Sequence, residues 1–80
     1  MSPEVETIAA WIRCLHPELV EVDPDLDLIE TRLIDSLAFA EYLIRVEQLA
    51  AAPIDADTLN VDDFRTLRRL ERAFFAGSAL

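Results

Sequence analysis

Glycine is almost missing from this chain, one residue in eighty. With four prolines and no Asn-Gly or Asp-Gly pair, the tight turns that join β-hairpins have nothing to build them, and an all-α domain follows. Lysine is absent altogether. Seven arginines face sixteen Asp or Glu residues, leaving a net charge of −9. That balance opposes nucleic acid and anionic membranes as partners, because both require basic surfaces. It suits encounter with proteins that carry basic patches, although solubility alone would also account for it. The single cysteine, Cys14, excludes an internal disulfide and fits a reducing compartment. There is no signal-peptide pattern and no apolar run long enough to cross a bilayer, so a cytoplasmic location is expected.

What the chain does have is apolar residues, 52% of the total, enough for a folded core. At this length residues 1–80 form one small domain with little room for an enclosed active site. Ser2-Pro3-Glu4 reads as a helix opening: a cap, a proline in the first turn, then acid at the positive end of the dipole. Val5, Ile8, Ala9 and Ile12 follow at helical spacing, extended by Trp11 and Leu15, until Pro17 ends the helix. Residues 17–35 form a long Asp- and Pro-rich connection whose scattered apolar side chains predict packing across the helices; such long connections tend to be functional. A second helix is expected from Ser36 to Ala50. Asn60 caps a short helix near 61–65, and Thr66 caps a last helix through Leu67, Leu70, Phe74 and Phe75. The tail at 77–80 is expected to fray. The predicted architecture is a small four-helix bundle, three longer helices and one short one, with a long loop between helices one and two.

Asp35-Ser36-Leu37 stands where the acidic loop meets the second helix. Unpaired N–H groups and the positive end of the helix dipole would favour a phosphate attached to Ser36. The alternative is that Ser36 or Asp35 serves only as the N-cap. The helix behind them carries two apolar faces. Phe39, Tyr42, Leu43, Val46 and Ala50 form a core-facing stripe with Leu49 at its edge. Leu37, Ala40 and Ile44 form a second strip interleaved with Glu41 and Glu47, which reads as a partner-docking surface. Leu37 could instead pack under the loop, and Ala40 could be a simple helix former. Ile44 between two carboxylates has no such explanation.

With these features the chain resembles the acyl carrier protein family, including the peptidyl carrier proteins. The resemblance covers most of the sequence: helix, long loop, Asp35-Ser36-Leu37 opening helix two, short helix, last helix. It implies that Ser36 carries phosphopantetheine, transferred from coenzyme A by a phosphopantetheinyl transferase, and that Asp35 helps present the site. The arm's thiol would then hold acyl or aminoacyl groups as thioesters. Leu37, Ala40, Glu41, Ile44 and Glu47 would contact the partner enzymes: loading ligases, acyltransferases or ketosynthase-type enzymes. Phe64-Arg65-Thr66-Leu67 resembles the family's entry to its last helix. A monomer without catalytic activity is implied.

There are departures. Ile34 stands where many carriers have glycine, so the loop's last turn should differ. Ala38 replaces a residue that is often acidic in fatty-acid carriers, and Arg65, Arg68, Arg69 and Arg72 gather positive charge near the C-terminal end. These favour polyketide or nonribosomal-peptide biosynthesis over a housekeeping fatty-acid role. A reading of another class is an unmodified acidic adaptor using the same strip.

Other chemistry is poorly provided for. Cys14 and His16 do not share a helix face; a buried thiol and a surface imidazole are expected. Asp23, Asp25 and Asp27 lack the glycine and closing glutamate of a calcium loop, so a solvated acidic loop is expected and no metal. Ser36 has no visible base or oxyanion site to make it a hydrolytic nucleophile.

Overall fold

The computed structural model describes residues 2–55 and 57–75; the tail at 77–80 lies outside the described residues. Helix α1 spans Pro3–Leu15, with Ser2 as N-cap, its Oγ accepting from the Val5 N–H at 3.3 Å. It buries Val5, Ile8, Ala9, Trp11 and Ile12, but Leu15, expected to extend that face, is 41% exposed at the last turn of the helix. Cys14 is exposed, contrary to expectation. Two residues beyond Ile12, it is rotated roughly 200° from that side chain and faces away from the core. His16 is half-buried, not a free surface imidazole: its Nε2–H donates to the Leu33 carbonyl at 2.6 Å. The carbonyl can only accept, so this bond places the ring proton on Nε2.

The connection from 17 to 35 packs across the helices, as its apolar content requires. Val22, Leu28 and Ile34 are buried, and Leu19, Ile29 and Leu33 pack against the core; Leu26 is half-covered and Val20 is 91% exposed. The acidic residues of this loop are not simply solvated. Arg68 grips Asp25 through two bonds of 2.6 and 3.2 Å, and Arg65 Nη1 reaches Asp27 at 3.2 Å. Backbone bonds run beside them, Leu28 N–H to Arg65 O at 2.6 Å and Arg68 N–H to Pro24 O at 3.0 Å. Two of the four C-terminal arginines thus tie the loop to the last third of the chain. Arg68 holds the Asp25 carboxyl below its ordinary value. For Asp27 the N–H of Glu30 contributes most, helped by the Ile29 N–H and by Arg65.

Helix α2 spans Ser36–Ala50. Of its expected core stripe Tyr42 and Val46 are fully buried, while Phe39, Leu43, Leu49 and Ala50 are only half-covered. The Tyr42 hydroxyl donates to the Phe64 carbonyl at 3.2 Å, and burial pushes its pKa up. Trp11, Phe39, Tyr42, Phe64 and Phe74 form a chain of rings with centroids 5.3–6.1 Å apart. The helix ends at Ala51 in the left-handed region, φ 55°, where glycine is the usual residue.

Asn60 caps a single 3-10 turn, Val61–Phe64, accepting from the Asp62 N–H at 3.0 Å. Thr66 caps α3, Leu67–Leu70, accepting from the Arg69 N–H at 3.1 Å. The last helix is not uniform: after four residues it widens into a π-turn, Glu71–Phe75. Five-residue spacing brings Leu70 and Phe75 to the same side, and both are buried. Glu71 accepts from the Ser2 N–H at 2.8 Å, joining the first and last segments. The fold is all-helical with no strand among the described residues, and its radius of gyration is 11.8 Å. Among those residues no helix is long and apolar enough to cross a membrane.

Candidate functional site

The start of α2 is held from behind. Asp27 Oδ1 accepts from the N–H groups of Ile29 and Glu30 at 3.0 and 2.8 Å, and Thr31 Oγ1 donates to Asp27 O at 2.6 Å. Arg32 then takes a left-handed conformation, φ 63°, and turns the chain so that the Ile34 N–H reaches Leu28 O at 3.0 Å. Ile34 is buried beneath this turn. An apolar anchor therefore sits just before the motif, and the backbone flexibility of a glycine is used two residues earlier, by an arginine.

The choice of cap resolves in favour of Asp35. Its Oδ1 accepts from the Ala38 N–H at 2.9 Å, and its carbonyl accepts from the Phe39 N–H at 2.8 Å. Ser36 is the first residue of the helix; it is exposed, and its hydroxyl has no hydrogen-bond partner among the described residues. Beside it lies an open groove of about 540 Å³. Ile29, Ile34, Phe39 and Val61 give the groove an apolar floor, while Glu30, Arg32 and Asp35 supply its charges. Nothing in the sequence alone links Arg32, Phe39 or Val61 to this site. Val61 is separated from Ser36 by the whole of α2, and only the fold brings the two together.

Below Ser36 the second strip of α2 faces outward. Leu37 is 88% exposed, Ile44 53%, and Ala40 is exposed as well. The two carboxylates beside the strip have intramolecular tasks. Glu41 Oε2 accepts from the indole N–H of buried Trp11 at 2.7 Å, and Arg45 lies against that ring, 5.1 Å from its centroid. Glu47 is half-buried and accepts from the Ile54 N–H at 3.1 Å, closing the turn after α2. Neither is a free surface charge, although Glu41 remains accessible on its outer side.

No group of three or more His, Cys, Asp or Glu residues suited to a metal forms among the described residues. An exposed hydroxyl, unpartnered among the described residues, thus stands beside an apolar groove at a helix end where negative charge is favoured. Compared with family models, with curated proteins and with solved structures, the chain finds no match in any of the three.

Proposed function

We propose that the protein is a discrete carrier of acyl or aminoacyl groups, with phosphopantetheine attached at Ser36. What supports this reading above all is the division of labour at the head of α2. Asp35 performs the capping, which leaves the Ser36 hydroxyl exposed and without a partner among the described residues. A serine needed only as a cap would accept the N–H bond that Asp35 accepts here.

When attached, phosphopantetheine supplies a terminal thiol that holds its cargo as a thioester. The chain's own residues position and present it. Asp35 fixes the first turn of α2, Ile34 pins the loop behind it, and the groove floor of Ile29, Phe39 and Val61 offers apolar cover next to the attachment point. Leu37, Ala40 and Ile44 form the docking strip, with Glu41 and Glu47 at its edge. Contact is transient, because a carrier must serve a transferase, a loading ligase and acyltransferase- or ketosynthase-type enzymes in turn; charge sets the rate of encounter more than the affinity.

In this reading the scaffold is the carrier's four-helix arrangement, with Val61–Phe64 as its short member and α3 with its π-turn as the last. The protein is itself no enzyme and works in the cytoplasm as a monomer. Polyketide or nonribosomal-peptide biosynthesis is favoured over a housekeeping fatty-acid role by Ala38 in the docking turn.

The test is direct. The apo-protein is incubated with coenzyme A and a broad-specificity phosphopantetheinyl transferase, then weighed intact. The expected result is a gain of one phosphopantetheine in the wild type and none in Ser36→Ala. No gain, or an equal gain in the variant, refutes the carrier reading and leaves an unmodified adaptor that uses the Leu37–Ile44 strip.

A further inference from the structure

The groove beside Ser36 is lined by three charged side chains, and Arg32 is the only positive one. Arg65 is drawn to Asp27 and Asp62, Arg68 to Asp25 and Arg45 toward Glu41, while Arg13, Arg69 and Arg72 make no ion pair among the described residues. Arg32 has no such partner among the described residues, although Glu30 is two positions away and lines the same groove. Its backbone, by contrast, is well fixed. The Arg32 N–H donates to Ile29 O at 3.1 Å, and φ of 63° commits the residue to a conformation that a side chain with Cβ disfavours. The structure holds the stem of an arginine at the groove and leaves its guanidinium open.

We propose that Arg32 is the anion-holding residue of this groove, pairing with the phosphate through which an arm is attached to Ser36. The inference rests on the carrier reading for the identity of the anion, and on the groove itself for its position. A phosphodiester at Ser36 adds a negative charge next to Asp35 and Glu30, on a protein already at −9. Backbone N–H groups at the head of α2 offset part of that repulsion. A guanidinium can offset more, because it offers two parallel N–H donors to phosphate oxygens. Holding the phosphate also limits the directions in which the arm can leave the surface and favours the apolar floor of Ile29, Phe39 and Val61.

The test needs no transferase. Ser36→Cys in a Cys14→Ser background is alkylated with iodoacetate or with iodoacetamide, giving adducts of nearly equal size, one anionic and one neutral. At low salt the anionic adduct should melt roughly 2–4 °C above the neutral one, the scale of an exposed ion pair in a domain this small. Arg32→Gly accepts the same backbone geometry, and in it the gap should fall by at least half. The Arg32 Nε–H resonance should move in the anionic adduct alone. Contributions from the helix dipole, Asp35 and Glu30 are common to both backgrounds and cancel in the comparison. An unmoved Arg32 resonance, or an equal gap in Arg32→Gly, overturns the proposal. So does a phosphorus resonance of the phosphopantetheinylated protein that Arg32→Gly leaves unchanged. Failure of the carrier reading shows separately, as a missing mass gain with coenzyme A.

Discussion

Replacing Glu41 by alanine removes the acceptor for the Trp11 indole N–H and should destabilise the fold even though Glu41 lies at the surface. The bond is short, 2.7 Å, and its acceptor is ionised, the kind of hydrogen bond worth about 1.5–3 kcal/mol when sheltered. Here the Glu41 side chain is 54% exposed, so water can partly replace it and about 1 kcal/mol is the better figure. Arg45 adds little to the loss. Its Nε lies 3.5 Å from Glu41 but makes no hydrogen bond, and its stacking on Trp11 survives the substitution. About 1 kcal/mol lowers Tm by about 4–8 °C in a domain of this size. Thermal melts followed by circular dichroism measure it, and fluorescence of the single tryptophan reports on the same contact. Glu41→Gln keeps an acceptor in place and should lose less than half as much. A Glu41→Ala protein melting within about 1 °C of the wild type would refute the claim that this bond joins α1 to α2. The result also bears on docking: a transfer defect in Glu41→Lys counts as a partner effect only where Glu41→Gln, which also removes the charge, shows it too.

Ala51→Gly relieves the left-handed C-cap of α2 and should raise stability by about 0.5–1 kcal/mol, the gain in strain being partly offset by a more flexible unfolded chain; a chemical-denaturation midpoint that stays put or falls would contradict it. Asp27→Asn should lower Tm near neutral pH, with the gap to wild type narrowing in acid. The folded-state carboxyl is held below its ordinary 3.8, so its stabilisation is complete above that value and is lost as pH falls through the depressed one. A gap that stays constant between neutral pH and about pH 3 would show that the charge of Asp27 adds nothing.

Local signals were legible in the sequence and long-range ones were not. Ser2, Asn60 and Thr66 all act as caps where their residue types suggest, because a cap bonds within its own turn. Asp35 and Ser36 are both good capping residues, so the sequence leaves their roles open until the backbone decides. The outward strip of Leu37, Ala40 and Ile44 follows from helical spacing alone. The exposure of Cys14 follows from its angle on α1, which outweighs the tendency of the residue type to be buried. Arg32 carries no propensity signal for the left-handed region, so neither its turn nor its place at the groove is visible in advance. The pairing of Asp25 with Arg68 spans forty-three positions, and the π-turn depends on where Phe75 must pack. Both are outcomes of tertiary structure.

That long span has a consequence for the order of events during synthesis. The ribosome makes the 17–35 loop and α2 first, but the loop takes its shape from Arg65 and Arg68, and α2 packs Tyr42 against Phe64. A nascent chain stopped before Phe64 can form the local bonds of the Asp35 cap but lacks the side chains that cover Tyr42 and hold the loop. The groove beside the serine, which needs Val61, is therefore completed later in synthesis than the helix start that carries the serine.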